Sequence, residues 1–207
     1  YRNNPRGLWL ETGRHRSPFP LSRGMKGENF NKKVQLTLSF DLESKRGREF
    51  HDAMTRMQNQ IIDAGFTNRV EWGLCKKAKA SSTTREDIEA LFNHFVKVPE
   101  DKEGNRLPYP PTFRVDFYVK KDEVSGEVTE VTSELWTPPD SEGRSSLIVP
   151  VSDMSVPPGS DVRAIMGASY VYVANGKFGI TWKLHQAVVF PGSSLPTGRC
   201  LIKDHPD

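Results

Sequence analysis

Two tyrosines and two lysines lie close together in one short stretch of this chain. Tyr170 and Tyr172 precede an Asn-Gly pair at positions 175–176, and Lys177 and Lys183 follow it. A phenol ring offers a flat face for stacking on another ring, and a lysine ammonium attracts an anion. Together these residue types suit a ligand that carries both aromatic rings and negative charge.

The Asn-Gly pair predicts a β-hairpin and its register. Both residues accept the positive φ that a two-residue type I′ turn requires, and such a turn fixes the pairing of the strands beside it. The predicted pairs across the hairpin are Ala174–Lys177, Val173–Phe178, Tyr172–Gly179, Val171–Ile180, Tyr170–Thr181 and Ala168–Lys183.

This register separates the hairpin into two faces. One face is uniformly apolar and is predicted to join the core: Val171, Val173, Phe178, Ile180, Trp182 and Leu184. The other face carries the rings and a cation: Tyr170, Tyr172, Gly179, Thr181, Lys183 and His185. Since glycine has no side chain, we expect a gap beside the Tyr172 ring that admits a flat group. The alternative is that another part of the chain covers this face and makes it a second core.

Two further segments alternate apolar and polar residues, as half-buried strands do. In residues 33–41 the predicted inward positions are Val34, Leu36, Leu38 and Phe40, and Lys33 points outward. In residues 112–121 the predicted inward positions are Phe113, Val115, Phe117 and Val119. The outward positions of that second segment include Arg114, Tyr118 and Lys120. Basic and aromatic groups therefore recur on the outward faces of three predicted strands.

Helical periodicity appears in two places. Apolar residues in residues 49–64 recur at helical spacing, and Gly65 follows as a helix-ending residue. Thr83 and Glu86 match a capping box, which predicts a second helix that runs to about Val96. Short strands are predicted over residues 69–74, 127–136 and 146–151, separated by turns rich in Pro and Gly.

Charge is distributed unevenly along the 207 residues. Residues 1–80 hold 16 Lys and Arg against 8 Asp and Glu, whereas residues 81–207 hold 13 against 18. Such asymmetry favours a polyanionic partner for one surface, although a merely solvated basic half gives the same counts. Trp9, in a basic arm at residues 1–31, and the lysines of a small-residue loop, Lys76, Lys77 and Lys79, are further candidates for this partner.

Catalytic and metal-binding patterns are missing from the sequence. It contains no phosphate-binding Gly-rich loop, no Gly-x-Ser-x-Gly and no His-Glu-x-x-His motif, and its two cysteines have no ligand at zinc spacing. We therefore expect no catalytic residue, no metal and no cofactor. A nuclease built on Asp41, Asp116 and Glu134 is a weaker alternative. Apolar stretches are too short to span a membrane, and sparse cysteine favours a reducing, intracellular environment.

A resemblance to a known family rests on residues 160–189. The run Lys-Phe-Gly-Ile-Thr-Trp-Lys at 177–183 and Gln-Ala-Val at 186–188 resembles the terminal hairpin of single-stranded DNA-binding proteins of large nucleocytoplasmic DNA viruses. That family is similar in plan to phage replication proteins with the OB-fold. The resemblance implies a five-stranded barrel, DNA across one face, and a role in replication, recombination or repair. It also implies a location in the host nucleus or a cytoplasmic virus factory.

Taken together, the residues and the resemblance predict a mainly β, OB-fold-like barrel with two helices and long loops. The predicted division is a basic N-terminal arm at 1–31, the barrel at 32–190 and a C-terminal extension at 191–207. Phage proteins of this plan usually recruit partners through an acidic tail; the sequence reads Lys-Asp-His-Pro-Asp at 203–207, so we expect such a tail to be absent or trimmed here.

The predicted function is single-stranded DNA binding, with RNA as a variant and homo-oligomers as an option. The predicted stacking residues are Tyr118, Tyr170, Tyr172 and Trp9. The predicted phosphate contacts are Arg114, Lys120, Lys183, Lys177, Lys76, Lys77 and Lys79. The alternative is a virion or scaffold protein that uses the tyrosine-rich face as a protein interface.

Overall fold

A computed structural model describes residues 8–22, 32–122, 124–125, 127–149, 151–168 and 170–192. The strands in these ranges are β1 (Leu8–Glu11), β2 (His15–Ser17), β3 (Lys32–Ser39), β4 (Val96–Lys97), β5 (Thr112–Lys121), β6 (Val128–Val131), β7 (Glu134–Trp136), β8 (Ser160–Ala168), β9 (Val171–Ala174), β10 (Lys177–Ile180) and β11 (Lys183–Phe190). The α-helices are α1 (Lys45–Thr67) and α2 (Arg85–Glu89). None of the helices in these ranges is long and apolar enough to cross a membrane.

Five strands close into a barrel in the order β2, β3, β5, β11 and β8, with β8 pairing again with β2. All strand pairs around the barrel are antiparallel except β5 and β11. These two strands run parallel and align at Asp116 and Lys183. A five-stranded Greek-key barrel of this kind is the OB-fold. The predicted mainly β, OB-fold-like barrel with two helices is confirmed.

Part of the predicted arm lies in the barrel. β1 and β2 follow the same edge of β8, and Thr12 marks the bend between them. The amide of Thr12 donates to the Ala164 carbonyl at 2.8 Å, and the Ala164 amide donates to Thr12 Oγ1 at 2.9 Å. Residues 1–7 and 23–31 of the arm lie outside the described residues, as does 193–207. The division into arm, barrel and extension stays a prediction.

The inward faces of the two alternating strands form the centre of the core, as predicted. All eight predicted positions are at most 2% exposed: Val34, Leu36, Leu38, Phe40, Phe113, Val115, Phe117 and Val119. Helix α1 closes one end of the barrel, where Phe50 packs against Phe40 and Phe113. Gln58 fixes the helix to β4, because its Oε1 accepts bonds from the amides of Phe95 and Val96 at 3.2 Å.

Helix α1 is longer than the predicted 49–64. Its N-cap is Ser44, whose hydroxyl accepts from the Gly47 amide at 3.0 Å, and Gly65 lies inside the helix rather than ending it. Packing explains the glycine, since an added Cβ at Gly65 would lie 2.6 Å from the Phe178 ring. A small residue at this position therefore reflects a close approach, not a helix end.

The region after α1 also differs from the prediction. Residues 69–74 form a turn and not a strand, because their amides bond back toward the helix end and the Arg69 guanidinium donates to the Ala80 carbonyl at 2.8 Å. The capping box of α2 is Thr84 with Asp87 rather than Thr83 with Glu86. Residues 127–136 split into β6 and β7, and in the described part of residues 146–151 Leu147 forms a bridge with Trp136.

Helix α2 is much shorter than predicted because the chain beyond it pairs with the hairpin. The Phe178 amide donates to the Leu91 carbonyl at 3.1 Å, and the Asn93 amide donates to the Phe178 carbonyl at 2.8 Å. These bonds hold residues 91–93 in an extended path beside β10. The predicted helix to Val96 is therefore wrong beyond Glu89.

Candidate nucleic-acid interface

The predicted hairpin forms, and its turn has the expected geometry. Asn175 and Gly176 have φ of 52° and 71°. β9 and β10 pair in the predicted register from Ala174–Lys177 to Val171–Ile180. The ladder ends there, so the predicted pairs Tyr170–Thr181 and Ala168–Lys183 are wrong. Lys183 instead aligns with Gly167, because the hairpin forms a sheet of its own while β8 and β11 continue in the barrel.

One side chain docks the hairpin on the helical region. Phe178 is fully buried, and its ring packs against Phe92 and Trp72 with centroid separations of 5.1 and 6.1 Å. Trp182 and Leu184 are buried as predicted. Val171 and Val173 are exposed, so their predicted place in the core is wrong. Ile180, also predicted for the core, is partly buried against it, so the hairpin contributes Phe178 and part of Ile180 rather than a whole face.

The predicted gap beside Tyr172 is filled. An added Cβ at Gly179 would lie 3.2 Å from Asn93 Cβ, and Gly179 is buried. The Asn93 amide Nδ2 donates to the Tyr172 hydroxyl at 2.7 Å, which leaves the Tyr172 ring half-buried. No flat group fits between these residues. Tyr170, in contrast, is 70% exposed.

A second candidate surface runs over the outward side of the barrel strands. Cα partners align one row across it, from Trp9 on β1 through Gly167 and Lys183 to Asp116 and then Gln35 on β3. We call the exposed outward side chains around this row the barrel face. They are Trp9, Lys33, Arg114, Tyr118, Lys120, Lys183 and His185.

Trp9 and His185 form a stack at one end of the barrel face. Their ring centroids are 3.7 Å apart, and the rings are tilted by 51°. Gly167 makes room for them, because an added Cβ there would lie 3.2 Å from Trp9 Cε3. Desolvation by burial, and then the charge of Lys183, lower the pKa of His185. The ring is therefore neutral near pH 7 and can stack without charge.

Asp116 lies at the centre of the row and is almost fully buried. Its Oδ2 is 2.5 Å from Lys33 Nζ, and its Oδ1 accepts from Gln35 Nε2 at 3.2 Å. The Asp116 amide donates to the Trp182 carbonyl at 2.8 Å, which ties β5 to the start of β11. The charges of Lys33 and Asp116 thus balance each other at the middle of the face.

The other cations of the barrel face differ in their surroundings. Lys120 is directly opposite Glu130 of β6. Arg114 and Lys183 make no ion pair with the described residues. Tyr118 is 41% exposed and is opposite Lys33 across the β3–β5 pair. Arg114 and Lys183 are therefore the cations best placed to attract an anion.

The structure distributes the eleven predicted contacts over three surfaces. The barrel face holds Trp9, Arg114, Tyr118, Lys120 and Lys183. The hairpin holds Tyr170, Tyr172 and Lys177, with Lys177 exposed beside the turn. Lys76, Lys77 and Lys79 are exposed at the 3-10 turn after α1. Their contact with DNA stays a prediction for all eleven.

Sequence reasoning did not include two exposed rings, Phe19 and Tyr109, among the predicted contacts. They line one cavity of about 710 Å³ together with Ser39 and Thr112. Neither residue belongs to a periodic segment, so strand and helix patterns pass over them. The available signal was local, because each ring stands between two prolines, at 18–20 and at 108–110.

The three carboxylates considered for a nuclease do not share a site. Asp41 accepts bonds from the amides of Glu43 and Ser44 at 3.2 Å, ahead of α1. Glu134 accepts from Trp136 Nε1 and Gln186 Nε2, each at 3.1 Å. Among the described residues no group of three or more His, Cys, Asp or Glu could hold a metal ion.

Comparisons with known proteins identify the fold. No family model and no curated protein matches the chain. Among solved structures, the single-stranded DNA-binding protein gp2.5 of bacteriophage T7 is similar with a TM-score of 0.50 at 11% identity, covering 93% of this chain and 91% of that one. The single-stranded DNA-binding protein of bacteriophage Enc34 in complex with single-stranded DNA gives 0.44 at 12% identity, covering 96% and 97%. At such identities the similarity concerns the fold.

Proposed function

We propose that this chain binds single-stranded DNA across the barrel face, without reading its sequence. The observation that carries the proposal is the row of aligned strands that brings the Trp9–His185 stack, Lys183 and the Asp116 region onto one surface. OB-folds bind oligonucleotides on the face of their second and third strands and with the loops beside it. β3 and β5 occupy those places in this chain, and the β9–β10 hairpin lies in the loop between the last two barrel strands.

The chemistry of the face suits a single strand. Tyr118 and the Trp9–His185 stack offer π-surfaces to bases of the strand, and each stacked base is worth about 1–3 kcal/mol whatever its identity. Arg114 and Lys183 attract the phosphates. Asp116 and Lys33 neutralise each other, so the phosphates are expected to pass nearer Arg114 and Lys183 than the centre of the face.

The biological role that follows is protection of exposed strands in replication, recombination or repair. The similarity in fold to the T7 single-stranded DNA-binding protein supports this role. An origin in a large nucleocytoplasmic DNA virus, as the hairpin residues suggest, is part of the proposal. The proposal extends to RNA, because an OB-fold face does not by itself reject RNA.

A second candidate function concerns the hairpin. Tyr170 is 70% exposed and the neighbouring Val171 and Val173 are 37% and 43% exposed, which makes an apolar edge on β9. Such an edge fits a protein interface of the kind that a virion or scaffold protein, or a second copy of the chain, would use. The two functions occupy different surfaces and can be separated by substitution.

The test is a fluorescence titration with single-stranded DNA, double-stranded DNA and single-stranded RNA of equal length. We expect the tightest binding to a single strand, and affinity that falls steeply as salt rises from about 50 to 200 mM. Absence of binding, or affinity independent of salt, would reject the proposal. Analytical ultracentrifugation of wild type and of the Tyr170→Ala, Val173→Ala double variant tests the second candidate, which predicts loss of self-association without loss of DNA binding.

A further inference from the structure

Two aromatic residues, each flanked by prolines, line one cavity beside the barrel strands. Phe19 stands in Pro18-Phe19-Pro20 and Tyr109 in Pro108-Tyr109-Pro110. Phe19 is 58% exposed and Tyr109 is 64% exposed. Both line the cavity of about 710 Å³, which is within the range of sites for small organic groups. We call the two rings and the cavity between their segments the aromatic cradle.

The Phe19 segment is held firmly although its ring is exposed. The buried Ser17 hydroxyl lies within hydrogen-bond distance of two carbonyl oxygens, that of Phe19 at 2.8 Å and that of Thr37 at 3.1 Å. Leu21 is buried, and Ser22 exchanges two backbone bonds with Gln35, of 3.1 and 2.8 Å. Because the residues on both sides of Phe19 are held by hydrogen bonds, its exposed ring occupies a defined position on the surface.

The Tyr109 segment is restrained as well. Its flanking prolines limit the backbone. The Leu107 amide donates to the Pro99 carbonyl, and the Phe40 amide donates to the Pro111 carbonyl, both at 2.9 Å. A ring on a restrained backbone loses little conformational entropy when a ligand stacks on it, which is the advantage of a preorganised site.

The cradle continues the barrel face. Thr112 and Ser39, which line the cavity, are Cα partners on β5 and β3. Alternate residues of a strand share a face, so Thr112 is on the same side as Arg114 and Tyr118. Tyr118 is six residues from Thr112, which is about 20 Å along a strand. A strand of DNA that crosses the face past Arg114 therefore reaches the cradle next.

We propose that the aromatic cradle binds bases of the same single strand and extends the DNA track beyond Arg114. The inference rests on the proposed function and adds a second stacking site at the far end of β5. Continuity with the barrel face selects a nucleic acid rather than a protein as the occupant, since Arg114 supplies a cation at the junction. The cradle is then what sets the length of strand that one molecule covers.

Dissociation constants for oligodeoxythymidines of about 4 to 30 nucleotides test the proposal. For wild type we expect affinity to rise with length until the strand spans both stacking sites. For the Phe19→Leu, Tyr109→Leu double variant, which keeps apolar bulk but removes both rings, we expect the rise to end at a shorter length. Affinity for the longest strand should then fall about 10-fold or more. The Phe19→Tyr, Tyr109→Phe variant keeps both rings and should match wild type.

A second readout is direct. Ultraviolet cross-linking of oligonucleotides that carry 5-iodouracil, followed by mass spectrometry, should yield adducts at Phe19 or Tyr109. The inference is overturned if the affinity of the leucine variant depends on strand length as in wild type and neither ring forms an adduct. If the leucine variant loses self-association instead, the cradle is a protein interface and the inference is also wrong. The proposed function fails separately, when wild type binds no single strand of any length.

Discussion

The hairpin and the barrel face contain the same kinds of residue but use them differently. In the β9–β10 hairpin, the Phe178 ring packs against Phe92 and holds the hairpin in place. Asn93 fills the space beside Tyr172. The barrel face aligns residues of several strands in one row, and packing on the inward side leaves its outward rings accessible. The rings of the barrel face are therefore open to a ligand, whereas the Tyr172 ring of the hairpin is partly covered.

This contrast predicts different consequences for substitutions in the two regions. Changes at the hairpin should mainly alter stability, whereas changes at the barrel face should mainly alter ligand binding.

Phe178→Ala should destabilise the protein by about 3–5 kcal/mol, because it empties a fully buried site beside Gly65, Trp72 and Phe92. Urea unfolding measures the change in the free energy of unfolding. Val173→Ala, at the exposed partner position across the hairpin, is the matched control and should change that free energy by about 0.5 kcal/mol or less. Equal losses in both variants would mean that the hairpin is docked through its whole face.

Tyr118→Ala should weaken binding of single-stranded DNA by about 1–3 kcal/mol, because one stacking ring is lost from the barrel face. Tyr172→Ala should weaken it less, since that ring is half-buried and its hydroxyl is already bonded to Asn93. Fluorescence titrations at one salt concentration compare the two variants, with thermal unfolding as the control for folding. A larger loss for Tyr172→Ala would move the site from the barrel face to the hairpin.

Lower pH should destabilise the barrel through His15. This ring is 1% exposed among Phe40, Phe50 and Phe113, and desolvation by burial lowers its pKa below the ordinary 6.5. The folded protein holds the neutral ring while the unfolded chain takes up a proton below pH 6.5, so stability present above that pH is lost as pH falls. Urea unfolding at about pH 7.5 and pH 5.5 measures the loss.

The control for this pH dependence is His15→Phe, which removes the titrating group and keeps an aromatic ring. Its free energy of unfolding should change less between the two pH values than that of wild type. An equal change in both proteins would assign the pH dependence to other groups.

Asp116→Asn should produce the smallest effect, and it should be a gain. The substitution removes the charge that holds Lys33, so Lys33 becomes available to phosphate. The slope of log affinity against log salt should become steeper by about 0.7, the value for one additional phosphate contact with a single strand. Gln35→Ala, which removes the neighbouring amide but leaves the ion pair, should keep the wild-type slope. A shallower slope for Asp116→Asn would mean that the carboxylate positions Lys33 for DNA.

The fold could be predicted from the sequence where local patterns determine it. Alternation in residues 33–41 and 112–121 gave the buried faces of β3 and β5, and the Asn-Gly pair gave the register of β9 and β10. The docking of Phe178 against Gly65 could not be predicted in this way, because it joins segments more than 100 residues apart. The backbone bonds of Leu91 and Asn93 with Phe178, which shorten α2, likewise join distant segments.

The candidate site was predictable in composition but not in arrangement. Outward positions on β5 follow from the strand period, and they include Arg114 and Tyr118. The stack of Trp9 on His185 depends on the β1–β8–β11 pairing, which brings together residues from the two ends of the chain. The charge balance between Lys33 and Asp116 depends in turn on the β3–β5 register. Both depend on the pairing of strands that lie far apart in the sequence.

The most direct test of DNA binding across the barrel face is the salt dependence of affinity for an Arg114→Ala, Lys183→Ala double variant. Removal of two phosphate contacts should make the slope of log affinity against log salt shallower by about 1.4 relative to wild type. Lys177→Ala together with Lys79→Ala, on the hairpin and the 3-10 turn, removes the same charge from other surfaces and should change the slope less. A slope that is unchanged in the barrel-face variant and shallower in the second would contradict this account.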